Sequence, residues 1–317
     1  MKLFTKRVLL LVLALLSAVI WFIGVPAYTQ QVTNSCRPQV VSTKPVTDLS
    51  IAKGCLNVNR SQALKQLARA NVVYLGETHD RAQDHQNQLR IIEQLYSRNQ
   101  RIAIALEMFQ RPYQGVIDDY LAGKINEEEL LAQSQYKQRW GYPWDYYAPI
   151  IQFAKAKKLP VIALNTPTEV TRKVAKSGVN SLSVEERKYI PPLSEIRTDN
   201  AQYRQLMLNI FQQHQADAQS YSPSFERFFF AQVLWDETMA EGIAKFLKAK
   251  PNYQVVVLAG QGHIVYNYGI PSRVQRRVNR RQFSQKSVLL SYPQDEQNPT
   301  NTAIADLIWL DNFNDNK

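Results

Sequence analysis

Cysteine is scarce in this chain: two in 317 residues, Cys36 and Cys55. No Gly-x-Ser-x-Gly elbow occurs, and neither cysteine sits where a nucleophile is expected, so covalent acyl chemistry is disfavoured. There is no internal repeat and no low-complexity tract, which excludes solenoids and linker proteins. No helix-turn-helix, zinc-finger or RNA-recognition pattern appears, so nucleic acid is not an expected partner. Histidine is rare too, with four in all. Charge is missing altogether from Val8 to Val25.

That uncharged run is where the chain declares itself. Lys2, Lys6 and Arg7 precede it, and Val25-Pro-Ala27 follows with small residues. A basic flank before an apolar stretch is the pattern of an export signal, and this stretch also reaches the length of a membrane span. Residues 1–27 therefore read as a signal peptide or N-terminal membrane anchor. The remainder is expected on the exported side of a membrane in the cell envelope, secreted, periplasmic or anchored. Residues 28–59 read as an irregular arm. In an oxidising compartment Cys36 and Cys55 are expected to form a disulfide, worth roughly 3 kcal/mol for so short a loop. The net charge of +11 suits an anionic lipid surface or an acidic ligand.

From residue 60 to 317 the pattern is that of one globular domain. Ser61 to Ala70 reads as a helix capped by Ser61. Short apolar runs at 71–75, 101–106, 160–164, 253–259, 287–291 and 305–310 read as buried strands. Between them lie helical stretches, including one opened by Asn126 before three glutamates and a long one expected to start at Ser222-Pro223. Strands alternating with helices give an α/β fold: a mainly parallel central sheet flanked by helices, with a helical subdomain.

In such sheets ligands gather beyond the carboxyl ends of the strands. Four strand ends deliver Glu77 and His79, Glu107, Asn165, and His263. Both histidines stand in a Gly-x-x-His context, Gly76 to His79 and Gly260 to His263. Two imidazoles with two carboxylates could hold a divalent metal, run acid–base chemistry, or contact an organic cofactor. Helix capping and a polar gap in the core are the bland alternatives. His85 and His214 read as ordinary surface residues. The aromatic span from Tyr136 to Tyr147 reads, on composition alone, as a packed lid or subdomain core. Arg273, Arg276, Arg277, Arg280 and Arg281 read as a solvated face, a partner for acidic groups, or an anionic-lipid contact.

The segments Val72-Val-Tyr-Leu-Gly-Glu-Thr-His79, Ala105-Leu-Glu-Met-Phe109, Trp140-Gly-Tyr-Pro-Trp-Asp-Tyr-Tyr-Ala-Pro149, Leu164-Asn165, Ala231-Gln-Val-Leu-Trp-Asp-Glu-Thr-Met239 and Gly260-Gln-Gly-His263 occur in this order. Together they resemble the ChaN-like haem-binding family of the Tiki and erythromycin-esterase-like superfamily, from about residue 60 to about 275. The resemblance implies haem as cofactor, haem or iron handling at the envelope, a tyrosine as iron ligand and a homodimer. Cofactor-binding candidates are then Glu77, His79, Glu107, Asn165, Tyr142, Tyr146, Tyr147, His263, Tyr266 and Tyr268. The alternative is a metal-dependent peptidase or esterase. In it Glu77, His79, Glu107 and His263 hold a divalent metal and do the catalysis. The Tiki branch shares the paired Gly-x-x-His motifs, and the esterase branch uses a Glu and a His that Glu77 and His79 match most nearly.

Overall fold

The computed structural model describes residues 39–42, 57–216, 224–292 and 303–310, without the side chains of 213–216. The N-terminal segment and both cysteines, hence the expected disulfide, lie outside the described residues. No helix among the described residues is long and apolar enough to cross a membrane.

Eight strands form one sheet: β1 (Gln39–Val41), β2 (Asn57–Val58), β3 (Val72–Glu77), β4 (Ile102–Gln110), β5 (Val161–Asn165), β6 (Gln254–Gly260), β7 (Gln285–Leu289) and β8 (Leu307–Trp309). Their order is β2-β1-β8-β7-β3-β6-β4-β5. Every pairing is parallel. Parallel strands need both faces covered, and the central ones are buried throughout. The stretch 28–59, read as irregular, thus contributes two short strands, with β2 at the sheet edge and β1 between it and β8.

The helices are α1 (Arg60–Leu67), α2 (Ala82–Tyr96), α3 (Gln114–Leu121), α4 (Glu127–Gln133), α5 (Tyr136–Arg139), α6 (Ala148–Lys157), α7 (Thr168–Ser177), α8 (Val184–Arg187), α9 (Ala201–Ala216), α10 (Phe225–Ala249) and α11 (Ile270–Val278). Capping chemistry sets several starts. Asn59, not Ser61, caps α1: its side chain accepts from Gln62 N at 2.9 Å, and the Gln62 side chain accepts from Asn59 N at 3.3 Å. Asn126 and Glu129 form the same reciprocal pair at α4. The long helix α10 follows Ser224 rather than Ser222.

Alternation along the strands divides the interior in two. Val73 and Leu75 of β3, with Leu258 of β6, face a core built with α1 to α6. Val72 and Tyr74, with Val257 and Ala259, face the opposite core under α10 and α11. Each fully buried Val or Leu side chain contributes about 1.5–3 kcal/mol, so this two-sided burial fixes strand register. The helical subdomain packs on α10 through two smaller clusters, one with α7 and one with α9.

The winding locates the site. From β3 the chain reaches β4 across the place β6 will fill, then β5. It returns late to insert β6 between β3 and β4, and crosses to β7 on the far side of β3. Connections therefore leave β3 and β6 in opposite directions, which opens a crevice at their carboxyl ends.

Candidate functional site

Glu77 is the last residue of β3 and pairs with Gly260 of β6. The residue is 1% exposed. A carboxylate is buried cheaply only when its lone pairs are met by donors. Here His79 Nδ1 lies at 2.8 Å, the Tyr147 hydroxyl donates at 2.7 Å and Gln88 Nε2 donates at 2.6 Å. Binding through Nδ1 fixes the His79 ring and turns Nε2 the other way. Burial alone would lower the His79 pKa, but the Glu77 hydrogen bond and the Glu107 and Glu77 charges outweigh it and raise the pKa.

Glu107 reaches the same place because β4 is irregular there. Leu106 pairs with Ala163, yet Gln110 pairs with Asn165, so four residues of β4 run against two of β5. Such a bulge re-aims the side chain it carries. Glu107 Oε2 accepts from Gly260 N at 2.7 Å, and Oε1 lies 3.3 Å from His263 Nε2. The other nitrogen, His263 Nδ1, lies 2.7 Å from Asp236 Oδ1 on α10. Asp236 Oδ2 in turn accepts from the Tyr203 hydroxyl at 2.5 Å. Burial disfavours both charges, but mutual attraction wins: His263 is pushed up to about 10 by Glu107 and Asp236, and Glu107 is held down to about 2. At neutral pH His263 is an imidazolium with both N–H groups engaged.

The two couples meet over Gly260. A Cβ there would lie 2.7 Å from His79 Nε2 and 3.7 Å from Glu107 Oε2. Only bare backbone lets the His79 ring lie so close. Trp140 meets that ring edge-on at 4.9 Å and Tyr142 lies tilted at 4.9 Å. The side chain of His79 is 25% exposed, against 0% for Glu77, 8% for Glu107 and 10% for His263. Access to the site therefore runs past His79 and its aromatic wall.

Glu77, His79, Glu107 and His263 are thus brought together, and Asn165 joins them by donating to the Glu107 carbonyl at 2.9 Å. The tyrosines separate. Tyr142 is half-buried against His79. Tyr147 is buried and engaged by Glu77. Tyr146 stacks on His85 at 4.8 Å. Tyr266 and Tyr268 stack on each other at 5.4 Å and pack into the opposite core. His85, read as a surface residue, is 2% exposed. Its ring sits between the His79 carbonyl at 3.0 Å and Gln88 Oε1 at 3.1 Å, because the first turns of α2 face inward. The side chain of His214 lies outside the described residues. Of the five arginines read as a solvated face, Arg280 and Arg281 are exposed, whereas Arg273, Arg276 and Arg277 pair with buried Glu237.

Asp236, Tyr203 and Gln88 were missed. For Asp236 a signal existed, a carboxylate amid the apolar positions of α10. No group of three or more His, Cys, Asp or Glu among the described residues is arranged to hold a metal ion. Glu77, His79, Glu107 and His263 converge without that arrangement. Their nitrogens and oxygens are turned to one another.

The profile of a family described as haem-binding uptake, Tiki superfamily, ChaN matches residues 63–274, which contain all four residues. Over 267 residues the chain is 27% identical to Protein RETICULATA-RELATED 5, chloroplastic, of Arabidopsis thaliana. The alignment covers 79% of this chain and 35% of that protein, so the chain spans about a third of that relative's length. Among solved structures, ChaN of Campylobacter jejuni with cofacially bound haem is similar in fold, with TM-score 0.61 and 20% identity. That match covers 79% of this chain and 91% of the other. An erythromycin esterase in its open conformation matches at TM-score 0.45 and 16% identity, over 73% of this chain and 72% of that one.

Proposed function

This chain belongs to the ChaN family of haem-binding uptake proteins in the Tiki superfamily, and on that premise we propose that it binds haem against the aromatic wall of the strand-end site. The observation that carries the reading is the half-buried Tyr142 phenol beside the reachable imidazole of His79. Haem needs an apolar wall, an iron ligand and polar partners for its carboxylates. Trp140 and Tyr142 supply the wall. Tyrosinate and imidazole are both haem ligands. Tyr147 is unsuited, since it donates to Glu77 and burial pushes its ionisation far up. His263 is unsuited, since it is held protonated. Tyr142 and His79 remain. The buried oxygens Asn165 Oδ1 and Gln261 Oε1 have no protein partner and fit a polar group entering the crevice. Arg81, half-exposed at the start of α2, is a propionate partner. Bound there, haem would supply an iron centre, and the chain's part is to hold and orient it. We place this activity in haem or iron handling on the exported side of a membrane, with a homodimer as the assembly.

A second reading is favoured by the two imidazole–carboxylate couples. His79, oriented by Glu77, is a base on the accessible side of the site, and His263 between Glu107 and Asp236 supplies a fixed positive charge, so ester or peptide hydrolysis is the competing chemistry. One experiment separates the two. Haemin titrated into the purified chain should give a shifted Soret band. Tyr142→Phe should abolish that shift, and Tyr268→Phe should leave it. A band that stays as in buffer overturns the haem reading. Ester turnover lost in His79→Ala and indifferent to chelator would establish the hydrolase instead.

A further inference from the structure

Away from the strand ends, α10 and α11 enclose a groove of about 630 Å³. Lys245, Lys248, Arg276, Arg277 and Arg280 line it, with Glu195 and Glu241 as the acidic members. Both acids are already matched. Glu241 takes Arg111 at 2.8 Å and Lys245 at 3.0 Å, and Glu195 takes Arg277. Behind the groove, fully buried Glu237 is shared among Arg273, Arg276 and Arg277. These guanidinium groups are matched, since Arg277 also holds Glu195 and Arg273 lies 4.0 Å from Asp236 as well. The uncompensated charge is at the rim, where Lys248 and Arg280 are exposed and neither has an ion pair among the described residues.

The groove is built, not merely lined with surface charge. The Arg277 side chain is 8% exposed and is fixed between Glu195 and Glu237. Arg276 and Arg277 are adjacent on α11, while Lys245 and Lys248 lie within one turn of each other on α10, so donors approach the groove from two sides. Planar guanidinium groups match the oxygens of a phosphate two at a time, and ammonium groups add point charge.

We propose that this groove is a phosphate-binding site, taking a phosphate or diphosphate group that is either free or carried by a lipid headgroup. It is distinct from the strand-end site and independent of haem. The groove concentrates positive potential between low-dielectric walls, which favours a multiply charged anion.

The test uses the whole chain. Isothermal titration with inorganic pyrophosphate should give a saturable one-to-one isotherm. Lys248→Glu with Arg280→Glu reverses two exposed charges, so circular dichroism should be unchanged. Affinity should fall by about tenfold or more, as loss of charge-assisted bonds requires. A second arm sediments the chain with vesicles of phosphatidylglycerol in phosphatidylcholine, against phosphatidylcholine alone. Pyrophosphate binding without a vesicle preference assigns the site to soluble phosphates. A phosphatidylglycerol preference that the double reversal removes assigns it to a headgroup. If pyrophosphate fails to saturate and vesicles show no preference, the proposal is overturned. It is likewise overturned if binding in both arms ignores the double reversal.

Discussion

The two Gly-x-x-His motifs look alike in sequence and end in opposite states. His79 has one bonded carboxylate, an aromatic wall and a quarter of its side chain in solvent. His263 is buried between Glu107 and Asp236 and is held as a cation. The motif brings an imidazole to a strand end. Its surroundings decide whether that imidazole is a reachable ligand or a fixed charge. The hidden histidine sets the charge of the site, and the exposed one faces what enters.

The sharpest way to break this contrast is to remove the carboxylate that neutralises the hidden one. Glu107→Ala leaves His263 charged, buried and short of a partner, and breaking a buried pair costs about 3–5 kcal/mol. Urea melts at neutral pH should show a loss of that size. His79→Ala should cost only about 1 kcal/mol, because Tyr147 and Gln88 still satisfy Glu77. Equal losses from the two variants would mean the histidines are not differently held.

Acidity gives the next effect. The folded His263 value, about 10, lies above the roughly 6.5 of an unfolded histidine. Its contribution is therefore complete below about 6.5 and is lost as pH rises through about 10. Glu107, held at about 2, contributes fully above its ordinary value of 4.5 and loses that contribution as pH falls through about 2. Stability from this pair should be greatest between roughly pH 4.5 and 6.5, and decline by a few kcal/mol on the order of magnitude toward pH 10. Proton NMR should find the His263 ring untitrated from pH 6 to 8. Asp236→Asn should bring its midpoint down. A His263 midpoint near 6.5 in the unaltered chain would mean that Glu107 and Asp236 do not hold it charged.

Much of this arrangement was readable from the sequence, for a physical reason. Buried parallel strands are unbroken apolar runs, so β3, β4, β5 and β6 announce themselves, and the residues that end them follow directly. What stayed hidden is polar and buried. Asp84, His85 and Gln88 on α2 look like a solvent face. They are inside because Asp84 takes Thr78 N at 2.9 Å and Gln88 takes Glu77. Asp236 was hidden because its partner is distant in sequence and meets it only across the packed helix. The strands β1 and β2 are too short, at three and two residues, for any alternation to register.

The smallest effect probes the point where the two halves touch. Gly260 has ordinary extended backbone, φ −55° and ψ 140°, so alanine brings no conformational penalty there. The added methyl would lie 2.7 Å from His79 Nε2 and 2.9 Å from Cε1. Trp140, Tyr142 and the Glu77 bond restrict where the ring can go. If the ring is held, Gly260→Ala overpacks the site and costs about 1–3 kcal/mol. If the ring swings out toward solvent, it gives up the Glu77 hydrogen bond, the stability loss is about 1 kcal/mol, and haemin affinity falls with little unfolding. Gly262→Ala, with nothing within 4 Å of its Cβ, is the control and should stay within about 0.5 kcal/mol. Thermal melts beside haemin titrations distinguish these results. A Gly260→Ala chain as stable and as competent as its Gly262→Ala counterpart would mean that the couples do not meet there, and that the two histidines act apart.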